Sequence, residues 1–258
     1  MSDLKISLIQ THTHWHRPDL NRDLFDSYFK ALPDAAQVVV LPEMFSTGFT
    51  MAAAEMAEPM DGPTISWMQE RASALGKVLC GSLIIQDQGR FFNRLVWVSP
   101  EGVVTYYDKR HLFRMAKEDR YFSPGNQASV ATLGEWRINL SVCYDLRFPV
   151  WLRNCSDYDL LLVVANWPGA RALAWQTLLA ARAIENQAYC VGLNIVGRDG
   201  AGVDYAGGSA VYGMRGDAVF DAHQEAGLFA VSLSLDDLRE YRQKFPAHLD
   251  ADRFCLEQ

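Results

Sequence analysis

Three residues suited to acyl transfer stand just after strongly strand-like runs. Glu43 follows Val38-Val39-Val40-Leu41-Pro42, Lys109 follows Val104-Thr105-Tyr106-Tyr107-Asp108, and Cys143 follows Ile138-Asn139-Leu140-Ser141-Val142. Strand ends of an α/β fold gather at one edge of a sheet, so such residues meet although far apart in sequence. A carboxylate, an ammonium and a thiol form a workable set. Glu43 takes the thiol proton, Cys143 attacks a carbonyl or nitrile carbon, and Lys109 with a backbone N–H near Tyr144 holds the oxyanion. Glu43 then passes its proton to the leaving nitrogen and activates the water that hydrolyses the thioester. A carboxylate deprotonates a thiol only if burial raises its own pKa or a cation lowers that of the sulfur, so the site must be enclosed. Singly, each residue has a plainer reading: a free cysteine is commonly a small buried hydrophobe, and a strand-end Glu or Lys a solvated charge.

The elements that position these residues follow from periodicity. Residues 4–10 read as a buried strand, 21–32 as an amphipathic helix ended by Pro33, and 37–41 as a second strand. Asp61-Gly62-Pro63 opens a helix to Leu75, with Gly76 as its stop. Strands at 78–85, 91–99 and 103–107, with turns at Gln88-Gly89 and Glu101-Gly102, read as an antiparallel meander. Residues 111–129 read as a loop leading to the cysteine strand. A helix-like run over 145–154 follows the thiol; its first N–H groups would favour thiolate. Beyond it come a strand at 160–165, a helix at 171–186, a strand at 188–196, a glycine-rich turn at 197–208, short strands at 209–213, 218–220 and 228–233, and a helix at 236–243. Helix-strand runs ending at Glu43 and at Asn166-Trp167-Pro168 share a layout, which hints at two pseudo-symmetric sheets, both mixed, with helices outside.

Composition narrows the function. With 49% hydrophobic and 21% charged residues the chain is an ordinary globular one, and no linker or charge block divides it, so residues 1–258 are expected to form one domain with a tail at about 244–258 packed on the surface or a partner. A net charge of −7 without a basic run argues against nucleic acid or an anionic membrane as partner. Five scattered cysteines with no CxxC pair argue against disulfides and structural zinc; the four other than Cys143 are read as structural. No leader pattern precedes the first strand and no apolar run is long enough for a span, so a cytoplasmic address is expected. His12, His14 and His16 alternate but have no carboxylate or cysteine at ligand spacing, and the glycine pairs do not form GxGxxG; neither a metal nor a cofactor is expected.

Leu41-Pro42-Glu43-Met44-Phe45, Tyr107-Asp108-Lys109-Arg110-His111-Leu112-Phe113 and Cys143-Tyr144-Asp145-Leu146-Arg147-Phe148-Pro149 resemble, in order, the three signature segments of the nitrilase superfamily of carbon-nitrogen hydrolases. Trp167-Pro168 and the run from Ala181 to Gln187 match its later landmarks. The resemblance implies an α/β fold, a four-layer αββα sandwich of two mixed β-sheets with outer helices, which forms a homodimer. It implies Glu43 as base, Lys109 as oxyanion stabiliser, Cys143 as nucleophile, and Glu118 as an auxiliary that positions substrate or Lys109. The cysteine segment with Ala165-Asn166-Trp167-Pro168 looks most like the omega-amidase branch, whose members hydrolyse the terminal amide of 2-oxoglutaramate or 2-oxosuccinamate, and suggests work beside a glutamine-using aminotransferase.

A small amide substrate with a free carboxylate needs a cation besides Lys109. Arg147 is the first candidate and Arg171 the second, because guanidinium pairs a carboxylate bidentately; an ion pair fixing a loop is the alternative for each. Phe45, Phe113 and Trp167 are candidates for an apolar wall, although aromatics after strands also serve as core. Competing readings are an N-carbamoyl amino acid amidohydrolase, an aliphatic nitrilase, and a regulatory homologue with a spent site. A papain-like hydrolase finds no strand-end histidine to pair with Cys143.

Overall fold

The computed structural model describes residues 3–252 and 254–256. Residues 1–2, 253, 257 and 258, which belong to the N-terminal entry and the expected tail, lie outside the described residues.

The first half builds one sheet and its outer helices. Strand β1 (Asp3–Gln10) leads to helix α1 (Pro18–Phe29), then β2 (Val38–Val40), a short α2 (Ala53–Met56), α3 (Pro63–Leu75), and the meander β3 (Val78–Asp87), β4 (Arg90–Val98) and β5 (Val104–Asp108). Pro18 and Pro63 open their helices at positions where no N–H is needed, and Gly76, at φ 63°, closes α3 in the left-handed conformation. Alternation in β1 sends Leu4, Ile6 and Leu8 toward the space between the sheets and Ile9 toward the helices, where Phe25, Phe29, Ile65, Met68 and Ala72 meet it. Each large apolar side chain so buried contributes about 1.5–3 kcal/mol.

The second half repeats the plan. Strands β6 (Ser129–Leu133), β7 (Trp136–Val142) and β8 (Leu160–Val164), the four-residue α4 (Pro149–Leu152), α5 (Ala172–Asn186) and β9 (Tyr189–Leu193) are followed by a small hairpin of β10 (Val196–Arg198) and β11 (Asp204–Ala206). Then come β12 (Ala210–Tyr212), β13 (Ala218–Asp221), β14 (Gly227–Ser234) and α6 (Leu235–Lys244). The two six-stranded sheets have orders β14-β1-β2-β3-β4-β5 and β6-β7-β8-β9-β12-β13. Along both, the pairings run antiparallel, parallel, parallel, antiparallel, antiparallel. The pseudo-symmetry is therefore complete at the level of strand order, with β2 matching β8 and β1 matching β7. Helix α5 lies close on the second sheet because Gly192 has no side chain: a Cβ there would sit 2.5 Å from Leu179 and 2.7 Å from Trp175.

Two expectations fail locally. The helix over 145–154 is instead a 3-10 turn, Cys143–Arg147, and then α4. Phe148 precedes Pro149, whose ring excludes the helical conformation from the residue before it, and Phe148 sits at φ −114°, ψ 86°. The stretch read as a loop before the cysteine strand contains two 3-10 turns, and β6 follows it before β7 begins. Of the tail, residues 247–250 form a 3-10 turn, and Gln187 binds both Phe245 O and His248 N, so this part packs on the chain's own surface.

Candidate active site

Sequence and packing bring Glu43, Lys109, Glu118 and Cys143 to one buried place between the sheets. Pro42 ends β2 and Met44 takes a left-handed conformation at φ 44°, which turns Glu43 inward. Lys109 leaves β5 with its N–H donated to Asn93 O at 3.0 Å. Cys143 sits at φ 45°, a conformation that costs a non-glycine residue about 1–3 kcal/mol and persists only when its surroundings hold it. Two clamps hold it. Asp145, fully buried, accepts from Val142 N at 3.1 Å, Tyr107 Oη at 2.8 Å and His111 N at 2.9 Å. Arg182, on α5, donates to Leu146 O through Nε at 3.1 Å and Nη2 at 2.7 Å.

The charges are packed tightly. Lys109 Nζ donates to Glu43 Oε1 at 2.9 Å and to Glu118 Oε2 at 2.9 Å, and all three side chains are fully buried. Burial works against the ammonium, but Glu118 and Glu43 outweigh it and raise the Lys109 pKa above that of an ordinary lysine. Burial raises Glu118 above the usual carboxylate range, opposed by Lys109 and reinforced by Glu43. Cys143 is pushed well above an ordinary thiol by burial first and then by the Glu43 carboxylate, with Lys109 pulling the other way. This corrects the expectation that helix N–H groups favour the thiolate. A single 3-10 turn has too little dipole to offset burial.

A cavity of about 440 Å³ opens on this group, lined by Cys143, Tyr144, Asn166, Trp167, Phe113, Arg147 and Arg171 among others. Of the residues expected in the wall, Trp167 and Phe113 are there and Phe45 is not. Phe45 is fully buried and packs edge-on against Phe25 at 5.4 Å and tilted against Trp67 at 6.1 Å, inside the helix-facing core. Phe49, four residues on, takes its place beside the site, its ring 5.2 Å from Lys109 Nζ. Arg147 lies 4.8 Å over the Trp167 ring and Arg171 5.3 Å over the Phe113 ring. Among the described residues no carboxylate pairs with either guanidinium. The β10–β11 hairpin, read as a turn, supplies Asp199, Val203 and Tyr205 to the lining. Asp199 is already occupied, accepting from Ala201 N, Val203 N and Tyr205 Oη, each at 2.9 Å.

Residues that the sequence reading did not single out complete the inner group. Asn166 donates its N–H to Glu43 Oε2 at 2.7 Å, and Asn93 donates from Nδ2 to Glu43 Oε1 at 2.7 Å. Asn166 stands in the segment Ala165-Asn166-Trp167-Pro168 without a role of its own, and the signal for Asn93 is a polar side chain inside an apolar strand. His12 Nε2 donates to Arg198 O at 2.8 Å, and His16 shares a hydrogen bond with Thr50 Oγ1 at 2.8 Å. Among the described residues no cluster of three His, Cys, Asp or Glu side chains is placed to hold a metal ion, and no helix is long and apolar enough to cross a membrane. Of the other cysteines, Cys80 and Cys190 are buried, and burial raises their thiols; Cys155 and Cys255 are exposed, so no packing role explains them.

A buried thiol flanked by a carboxylate and a lysine, at the edge of two stacked mixed sheets, is the equipment of a thiol-dependent acyl-transfer enzyme. The sequence pattern of the family described as carbon-nitrogen hydrolase matches residues 5–243, and the chain belongs to that family. It is 47% identical over 258 residues to omega-amidase YafV of Escherichia coli strain K12, covering 99% of this chain and 100% of that one. It is 28% identical over 250 residues to the 2-oxoglutaramate amidase of Bacillus subtilis strain 168, covering 95% of this chain and 96% of that one. Among solved structures, XC1258 from Xanthomonas campestris, a CN-hydrolase superfamily protein with an arsenic adduct in its active site, superposes with a TM-score of 0.97 at 44% identity over the whole of both chains. An amidase variant from Nesterenkonia sp. AN1, with acrylamide added to its active-site cysteine, superposes at 0.82 with 29% identity, covering 95% of this chain and 99% of that one.

Proposed function

We propose that this hydrolase cleaves the terminal amide of a short omega-amido 2-oxo acid, of the size of 2-oxoglutaramate or 2-oxosuccinamate, to the dicarboxylate and ammonia. The observation that carries the reading is the cavity of about 440 Å³ with a thiol on one part of its lining and, on others, two guanidiniums that have no carboxylate partner among the described residues. Cys143 provides the nucleophile, and Arg147, seconded by Arg171, takes the free carboxylate. Phe113 and Trp167 flank the carbon chain. The names of the relatives in Escherichia coli and Bacillus subtilis point the same way.

The steps follow from the charges. Glu43 accepts the thiol proton as Cys143 Sγ bonds to the amide carbon, so no free thiolate builds up in the buried site. The oxyanion is met by the Lys109 ammonium and the Tyr144 N–H. Glu118 neutralises part of the charge on Lys109 and keeps it in place. When the C–N bond breaks, Glu43 returns the proton to nitrogen and ammonia leaves. Water, deprotonated by Glu43, then attacks the thioester, and the thiol re-forms. No cofactor enters these steps.

The wider reading is that the chain works as one domain over residues 1–258, as a homodimer in the cytoplasm, downstream of an aminotransferase that uses glutamine. Ammonia release from 2-oxoglutaramate, 2-oxosuccinamate, glutaramate, N-carbamoyl amino acids and a simple nitrile tests the substrate assignment. The first two should lead. A preference for a carbamoyl amino acid or a nitrile overturns it.

A further inference from the structure

Two buried carboxylates share one buried cation beside the nucleophile in this site. Asn93, at the middle of β4 and 1% exposed, is the neutral group that touches all three. Its Nδ2 donates to Glu43 Oε1 at 2.7 Å and approaches Glu118 Oε1 at 3.4 Å, while its carbonyl accepts from Lys109 N. The amide cannot turn over, because Ser82 Oγ donates to Asn93 Oδ1 at 2.8 Å and itself accepts from Met44 N at 2.8 Å. Every donor in this chain has one acceptor, and it begins at the residue that turns Glu43 inward. A flipped amide would point an oxygen at two carboxylates.

We infer that Asn93 is a positioning residue: with Lys109 it occupies Glu43 Oε1, so that Oε2, which accepts from Asn166 N, keeps a lone pair for the thiol proton. Its amide nitrogen also faces both carboxylates, so neither meets an oxygen on that side. The groups facing Glu43 are Lys109 beyond β5, Glu118 in the following 3-10 turn, the Cys143 thiol beyond β7 and the Tyr205 hydroxyl on β11. None of these supplies the second donor that Oε1 receives from Asn93. The inference rests on Glu43 as the base, not on the identity of the amide.

Alkylation of the Cys143 thiol by iodoacetamide, followed against pH by mass spectrometry, tests it without any substrate, with Cys143→Ala as the labelling control. Losing a donor to a carboxylate raises that carboxylate's pKa, so in Asn93→Ala the acidic limb of the alkylation profile should move up by about one pH unit. Hydrolysis of the best amide should slow by about 10- to 100-fold in kcat with KM changed by less than about 3-fold. Asn93→Asp separates this role from packing. It is isosteric, so a packing role makes it milder than Asn93→Ala, whereas a third carboxylate here should move the limb further and cost more activity. Ser82→Ala, which removes only the hydroxyl that locks the amide, should move the limb in the same direction by less, and it carries the test if Asn93→Ala fails to fold. An acidic limb that stays at the parent position in Asn93→Asp or Ser82→Ala overturns the inference, whatever happens to kcat.

Discussion

Asn166 grips Glu43 at both ends: its main-chain N–H reaches Glu43 Oε2 at 2.7 Å, and its side-chain Nδ2 reaches Glu43 O at 2.8 Å. The two residues follow β2 and β8, which occupy matching positions in the two sheets, so the pseudo-symmetry of the fold joins its halves at the base. Asn166→Ala removes only the side-chain bond and leaves a buried carbonyl unpaired. Stability should fall by about 1–2 kcal/mol in urea titration. A slackened Glu43 should lower kcat by about 10-fold with little change in KM. Full kcat in the folded variant would show that the main-chain contact alone orients the base.

Glu118 holds Lys109 together with Glu43, and its Oε2 also accepts from Phe113 N at 2.6 Å. Because Glu118 is the largest charge keeping Lys109 protonated against burial, Glu118→Gln should lower the pKa of the ammonium. The alkaline limb of the pH–rate profile should therefore shift to lower pH. At neutral pH kcat should drop by about 100-fold, since the oxyanion loses a firmly placed cation. A drop in kcat with the alkaline limb unmoved would assign Glu118 to loop structure rather than to Lys109.

The residues brought together in the candidate site were more legible than those that support them. Glu43, Lys109 and Cys143 stand where apolar runs stop, and a strand that ends is easy to read. Asn93 lies inside Phe92-Asn93-Arg94, where alternation makes a buried amide look like a residue on a polar face. Phe45 and Phe49 are indistinguishable by type; the backbone reversal at Met44 and Gly48, both at positive φ, decides which one reaches the cavity. The helix expected after the thiol fails at Phe148-Pro149 because a steric rule about one dipeptide overrides ten residues of suitable periodicity. The hairpin at 196–206 closes the cavity through contacts with the N-terminal loop: Gly197 and Gly200 leave room for the rings of His12 and Trp15. Such long-range contacts leave only glycines as their mark.

Arg147 is the better placed of the two guanidiniums to meet a carboxylate. It sits on the turn that carries Cys143, is half-buried, and makes a ring contact but no ion pair among the described residues. Arg171 already lies 3.9 Å from Met115 Sδ through Nη1. A charged hydrogen-bonded pair in such a pocket is worth about 10- to 100-fold in binding. Arg147→Ala should raise KM by that factor for an omega-amido acid and leave a neutral short amide nearly unaffected, with Arg171→Ala having the smaller effect. Equal changes for both substrates would remove Arg147 from carboxylate recognition.

Asp26 tests the scaffold apart from the site. It links α1 to α3, accepting from Arg71 Nε at 2.7 Å and Nη2 at 2.9 Å and from Trp67 Nε1 at 3.2 Å. The Arg71 hydrogen bond, partly opposed by burial, holds its carboxyl below the ordinary 3.8. A depressed carboxylate binds its proton less readily when folded, so its contribution to stability is present above about pH 4 and is lost as pH falls through the folded-state value. Asp26→Asn should therefore unfold more easily than the parent at pH 7, with the difference closing toward pH 3. The Arg71 side chain is 38% exposed, so solvent screening keeps the effect under about 1 kcal/mol, and added salt should shrink it further. Since α1 and α3 cover the face of the sheet away from Cys143, kcat should remain at the parent value throughout. A difference in unfolding that persists at pH 3 would mean that the asparagine disturbs packing between the helices rather than removing a charge.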